Sequence, residues 1–173
     1  MDKFSKDELY VLALHLDLPD LLRLCKIHSK FYRKICNDET VWRRKIERDF
    51  PNVKLEDLIP EIREKSYKEI YNLLYFHKVS HMERKAKRQI NEMYLKNEVE
   101  MWVNEDTFIP EHLYLPNMEY LYLYLKNKNH ITIPDNVRFP KLERIIVFPD
   151  DDGYYDIDAP EKYRKLISIS TND

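Results

Sequence analysis

The densest set of oxygen ligands in the chain is Asp150-Asp151-Asp152-Gly153-Tyr154-Tyr155-Asp156-Ile157-Asp158, where a glycine follows spaced carboxylates as in a calcium-binding loop. Setting Gly153 on that loop's glycine puts Phe148 at the first ligand position and Ala159 at the last. Both end oxygens are then missing, and the stretch reads as a solvated acidic loop that could face a basic partner. His77 and His81 stand four apart and can share a helix face, but no cysteine or zinc-motif glutamate accompanies them. Cys25 and Cys36 have no ligand spacing around them and read as two small core thiols. Ser29 follows His28 and Ser80 precedes His81, yet neighbours in sequence point apart on a helix, so neither pair makes a nucleophile and its base. Gly153 is the single glycine, which excludes the phosphate cradles that need several at fixed offsets. The run Arg84-Lys85-Ala86-Lys87-Arg88 reads as a solvated helix face. No catalytic residue, metal site or cofactor is therefore assigned.

Binding surfaces are a different matter, and they depend on the elements that carry them. Ile109 to Leu123 aligns without gaps on Ile133 to Val147 at a period of 24 residues, with apolar residues recurring at most apolar positions. Such a period suits stacked strand-and-return units, none of which buries its apolar edge alone. Ala159-Pro160-Glu161 echoes Ile133-Pro134-Asp135 at a spacing of 26, suggesting a third, worn repeat. Alternation along a strand turns Leu121, Leu123, Ile145 and Val147 inward, and Tyr120, Tyr122, Tyr124, Arg144, Ile146 and Phe148 outward. A parallel ladder at this offset sets Tyr122 beside Ile146 and Tyr124 beside Phe148, an aromatic patch of the kind that either marks a partner site or is covered by the linking helix or the C-terminal tail. The six outward residues are the candidate substrate-binding set. Val99 to Val103 and Leu166 to Ile169 read as flanking strands.

The N-terminal stretch Phe4 to Trp42 reads as three short helices with surplus apolar surface. Ser5 with Glu8 forms a capping box, which starts a helix near Lys6 and carries it to about Leu16. At about 100° per residue, Leu9, Leu12, Ala13 and Leu16 make one stripe, and Tyr10, Val11 and Leu14 a second beside it. A unit near 40 residues covers one stripe itself and leaves the other for a partner. Asp17 and Pro19 start the second helix, Phe31 and Ile35 mark a third or a kinked continuation, and Trp42 with Ile46 sits on a further helix ending before Pro51. From Pro60 to Val79 the spacing predicts one continuous helix. A second, from Met82 to Val99, reads as a connector.

Two resemblances follow. Phe4-Ser5 at the opening, Leu16-Asp17 at the close of the first helix, Asp20-Leu21-Leu22-Arg23-Leu24, Lys30-Phe31 and Val41-Trp42-Arg43 together resemble the F-box family, with Ser5 in place of the usual proline and His28 where cysteine is common. Met118-x-x-Leu121-x-Leu123, repeated as Leu142-x-x-Ile145-x-Val147, resembles a leucine-rich repeat, although its expected asparagine is Lys126 in one unit and Asp150 in the other. The first resemblance implies a substrate-recognition subunit of a Skp-cullin-F-box ubiquitin ligase, docking on a Skp-type adaptor and through it on a cullin. It assigns the adaptor contact to Phe4, Leu9, Leu12, Leu16, Leu21, Leu22, Leu24, Ile27, Phe31 and Trp42, leaving some to the core, Phe31 and Trp42 first. An alternative is a non-catalytic interaction or decoy protein that binds the adaptor and delivers nothing. In neither role does the chain perform chemistry itself.

The expected fold class is α+β. Its parts are an N-terminal three-helix F-box-like domain (1–50), a helical linker (51–98) and a C-terminal leucine-rich-repeat-like region with a small parallel sheet (99–173). With 35% charged residues and a formal net charge of −2, nothing draws the chain to nucleic acid or membrane. The acidic part is residues 101–173, with 8 Lys+Arg against 13 Asp+Glu. Met1-Asp2-Lys3 lacks a secretory signal's apolar run and no stretch approaches the roughly 18 apolar residues of a membrane span, so a cytoplasmic or nuclear location is expected.

Overall fold

The structure is a computed structural model that describes residues 4–80, 90–103, 107–126, 130–149 and 155–170. His81, the run Arg84 to Arg88 and most of the acidic loop, Asp150 to Tyr154, lie outside the described residues. The chain is α+β and divides into two compact units, Met1–Tyr71 and Asn72–Asp173. The segment expected to be a linker is shared between them.

In the first unit, helix α1 (Lys6–His15) opens on the expected capping box: the Ser5 hydroxyl accepts the Glu8 N–H at 3.2 Å, and the Glu8 carboxylate accepts the Ser5 N–H at 2.8 Å. Asp17 caps α2 (Leu18–Ile27) by accepting the Asp20 N–H at 3.0 Å, and Pro19 sits in the first turn, where a missing N–H costs nothing. A short α3 (Ser29–Phe31) runs into a π-helical turn, Tyr32–Cys36. Asp38 then caps α4 (Glu39–Asp49), which stops one residue short of Phe50-Pro51.

The expected single helix from Pro60 is two helices. These are α5 (Pro60–Arg63) and α6 (Tyr67–Ser80). The break has a local cause, a second Ser/Glu box in which Ser66 Oγ accepts the Glu69 N–H at 3.2 Å and Glu69 accepts the Ser66 N–H at 3.1 Å. Apolar periodicity runs through the break and conceals it. The first turn of α6 brings Tyr71 against Trp42 and Phe50, with ring centroids 5.5 and 5.3 Å away.

Leu9, Leu21, Phe31, Ile35, Trp42 and Ile46 fill the core of this unit, each at most 1% exposed. The Trp42 indole N–H reaches the Cys36 carbonyl at 2.9 Å. Cys25 and Cys36, expected as separate thiols, form a disulfide with their Cα atoms 6.0 Å apart. The turn at His28 folds the π-helical segment back on α2 and brings the two side chains together.

The second unit contains α7 (Ile90–Leu95), β1 (Glu98–Val103), β2 (Tyr120–Leu125), β3 (His130–Thr132), β4 (Arg144–Phe148), β5 (Asp156–Asp158), α8 (Glu161–Arg164) and β6 (Ile167–Ile169). Strands β1, β2, β4 and β6 form one parallel sheet in that order, and β3 pairs in parallel with β5. Tyr122 lies opposite Ile146 and Tyr124 opposite Phe148, the register that the 24-residue repeat demands. The spacing of 26 recurs in the β3–β5 pair, where His130 meets Asp156, and Ile133 and Ala159 are both buried. In the four-stranded sheet the matching step is shorter, since Ile145 pairs with Ile167. Leu115, Phe139 and Tyr163, spaced by 24, are buried too. The Tyr163 hydroxyl accepts the Phe139 N–H at 3.2 Å and donates to the Val137 carbonyl at 3.1 Å, satisfying backbone groups that the sheet leaves unpaired.

Candidate functional site

Each unit leaves one surface that its own core does not use. On α1 the two stripes separate only in part, since Tyr10 and Leu14 of the second are half-buried. Leu9 and Ala13 are buried, Leu12 and Leu16 half-buried, and Val11 on the second stripe is 54% exposed. Phe4 is 45% exposed, Ile27 72% and Tyr32 44%. Of the ten residues assigned to adaptor contact, Leu9, Leu21, Leu22, Phe31 and Trp42 are buried in the core of the unit, with exposures of 8% or less, Phe31 and Trp42 being the two that the sequence reading left to the core first. Phe4, Leu12, Leu16, Leu24 and Ile27 keep accessible surface. Val11 and Tyr32, outside the predicted set, are exposed as well. For Val11 the signal was in the second stripe; Tyr32 lies in the π-helical turn, where α-helical spacing misplaces it.

In the second unit the structure brings all six predicted residues onto the outward face of the four-stranded sheet. Leu121, Leu123, Leu125, Ile145 and Val147 are buried, while Tyr120, Tyr122, Tyr124, Ile146 and Phe148 are half-buried and Arg144 is exposed. Register sorts the face into rows. One holds Glu98, Tyr120 and Arg144, the next Glu100, Tyr122 and Ile146, and the third Trp102, Tyr124 and Phe148. In the third row the rings stack: Trp102 on Tyr124 at 4.4 Å and 14°, Tyr124 on Phe148 at 4.6 Å and 9°. These spacings match the distance between neighbouring strands, so the ladder itself sets the stack. Trp102 and the two glutamates of β1 were not in the predicted set, although alternation with Val99, Met101 and Val103 marks them as outward.

The electrostatics of this face are set by acids. Glu143, which accepts the Tyr120 hydroxyl at 3.3 Å, holds that phenol above its usual range. Burial pushes the Tyr124 phenol up, and the nearby Glu100 carboxylate adds to it. The Lys126 ammonium lies 5.8 Å from the Trp102 ring centre, within cation–π range.

Elsewhere in the unit, Asp156 contacts His130 Nδ1 at 2.9 Å and Thr132 Oγ1 contacts His130 Nε2 at 3.2 Å, the order of an orienting acid, base and hydroxyl. All three residues are exposed, so water competes for each bond and the hydroxyl has no low-dielectric site. The set works as a strap on the β3–β5 ladder. Among the described residues, no group of three or more His, Cys, Asp or Glu could hold a metal ion, and no helix is long and apolar enough to cross a membrane.

No protein-family model, no curated protein and no solved structure matches this chain.

Proposed function

We propose that this chain is a substrate-recognition subunit of a Skp-cullin-F-box ubiquitin ligase, with the first unit docking on a Skp-type adaptor and the sheet face of the second holding a protein substrate. The observation that carries the reading is the solvent exposure of Phe4, Val11, Ile27 and Tyr32 on a helical unit whose core is already complete and whose residue order resembles the F-box. Burial against a partner would take these four side chains out of water. The leucine-rich-repeat resemblance supplies the second half: stacked repeats with a parallel sheet and an open aromatic face suit capture of a protein. Such a receptor acts by raising the local concentration of its substrate near the ubiquitin-charged enzyme.

Capture of a purified Skp-type adaptor tests the reading. Val11→Asp and Ile27→Asp place charges on exposed positions, so each should abolish adaptor capture and leave the circular-dichroism spectrum and unfolding midpoint intact. Failure of the native chain to bind the adaptor at micromolar concentration, or undiminished binding by both variants, sinks the proposal.

A further inference from the structure

The row Trp102, Tyr124, Phe148 has an unequal pair of ends. Tyr124 covers one face of Phe148. On the other side stands β6, where Ile169 pairs with Val147 and the register, continued by one residue, sets Ser170 opposite Phe148. A hydroxymethyl group cannot cover a phenyl ring, so among the described residues β6 adds no further ring to the stack at this end. The other end shows what a ring in this row attracts, since Lys126 places its ammonium near Trp102. Guanidinium groups share that preference and are planar, so one can continue a stack of parallel rings as a further layer.

The charge on the same face is uneven: Arg144 and Lys126 are basic, and two of its three acids gather on the β1 edge. Glu98 and Glu100 are exposed on β1, and Glu143 is exposed beside Tyr120. Glu143 raises the Tyr120 phenol, and Glu100 adds to the burial that raises the Tyr124 phenol. From Phe148 to Glu100 is two strand spacings and one side-chain repeat, on the order of 12 Å. Extended chain crosses that in about four residues. Between them lie Tyr122 and Ile146, both half-buried, which suit an apolar side chain.

We infer that the outward face of the four-stranded sheet binds an extended basic segment of a partner protein, with an arginine laid on the open face of Phe148 and a second basic residue, about four positions away, paired with Glu98 and Glu100. The inference rests on the receptor reading above and names the substrate class of that surface.

Titration of the full chain with three synthetic peptides, followed by Trp102 fluorescence and calorimetry, tests it. The peptides are acetylated, amidated Arg-Ala-Leu-Ala-Lys, Gln-Ala-Leu-Ala-Gln and Glu-Ala-Leu-Ala-Glu. The basic peptide should bind saturably below about 1 mM, and the other two at least tenfold more weakly. The double variant Glu98→Gln/Glu100→Gln and the single variant Phe148→Leu should each weaken it several-fold with unchanged circular dichroism. Equal binding of the neutral or acidic peptide, no saturation by the basic one, or full affinity in the double variant overturns the inference. Adaptor capture is measured separately on the same protein. Capture without selectivity for the basic peptide removes this inference alone, and selectivity without capture removes the ligase reading while leaving the basic-segment site in place.

Discussion

Lys45→Met tests how the first unit holds α1 in place and therefore how it presents Val11. Lys45 is 1% exposed, and its ammonium donates to the Leu16 carbonyl at the end of α1 at 2.5 Å. It also pairs with Asp49 at 2.9 Å, one turn along α4. The Tyr71 hydroxyl donates to the same carboxylate oxygen at 2.7 Å, and the ammonium lies 5.5 Å from the Tyr71 ring centre. One buried cation thus ties α1, α4 and the first turn of α6 together. Methionine fills much the same space but leaves the Leu16 carbonyl and the Asp49 charge without their partner. Removing one member of a fully buried pair costs about 3–5 kcal/mol. Asp49 is 24% exposed and keeps the Tyr71 bond, which places the loss at the lower end, about 3 kcal/mol.

The assay is urea unfolding in a Trp102→Phe background, which leaves Trp42 as the reporter of the first unit. Two units need not melt together, so a probe confined to one of them is required. With an m-value of about 1.5 kcal/mol/M, the midpoint should fall by about 2 M. Adding Asp49→Asn to Lys45→Met should recover part of the loss, because the carboxylate that has lost its nearer cation and keeps only Arg48 at 3.8 Å goes with it. A single-variant midpoint within about 0.3 M of the parent, or no recovery in the double variant, refutes the account.

Two further outcomes follow from particular contacts. Tyr124→Leu removes the middle ring of the stack and keeps an apolar side chain, so the loss should be about 1–3 kcal/mol from two ring contacts; hydrogen exchange across 98–125 should quicken, and unchanged protection contradicts the stack as a source of sheet stability. The Ser5 N–H and hydroxyl hold Glu8 below the usual carboxylate range, while burial pushes Asp38 up and bonds from Lys6 and Thr40 outweigh it, leaving it lowered too. Both groups release protons more readily in the folded chain than in the unfolded one, so their stabilisation is full above the unfolded pKa and fades as pH falls below about 4. The Trp42-reported midpoint should therefore drop on acidification, and less steeply in Glu8→Gln/Asp38→Asn; an equally steep drop in that variant counts against the assignment.

The parts of this molecule that were legible in the sequence are those fixed by short-range chemistry. The Ser5–Glu8 box and the Asp17 cap each involve residues three apart, and both are where their types place them. The 24-residue register was legible because a repeat determines its own pairing: once Ile109 to Leu123 matches Ile133 to Val147, stacking sets Tyr124 on Phe148. What escaped depends on how separate segments return to one another. A lysine on the Trp42 and Ile46 face of α4 ordinarily runs its stem along the core and keeps its charge in water. Only the approach of Leu16 and Tyr71 makes Lys45 a buried tie. Cys25 and Cys36 are eleven residues apart across a turn and a π-helical segment whose geometry no periodicity encodes.

The same distinction explains why the two candidate surfaces were read with unequal success. On a strand, inward and outward alternate by strict parity, so one buried residue fixes its neighbours, and all six predicted sheet residues fell on the open face. On helices packed as a small bundle, a stripe near 100° wide can be buried or exposed depending on which neighbour arrives, and parity decides nothing. Leu9 and Val11 are both apolar and only two positions apart on α1, yet one is 1% exposed and the other 54%. The core claims the stripe that includes Leu9 because α4 and the π-helical turn pack on α1 there, and Val11 is left in water. An adaptor that buries Val11 and Ile27 would finish what the chain begins, and for that reason a single charge at Val11 should separate docking from folding where one at Leu9 could not.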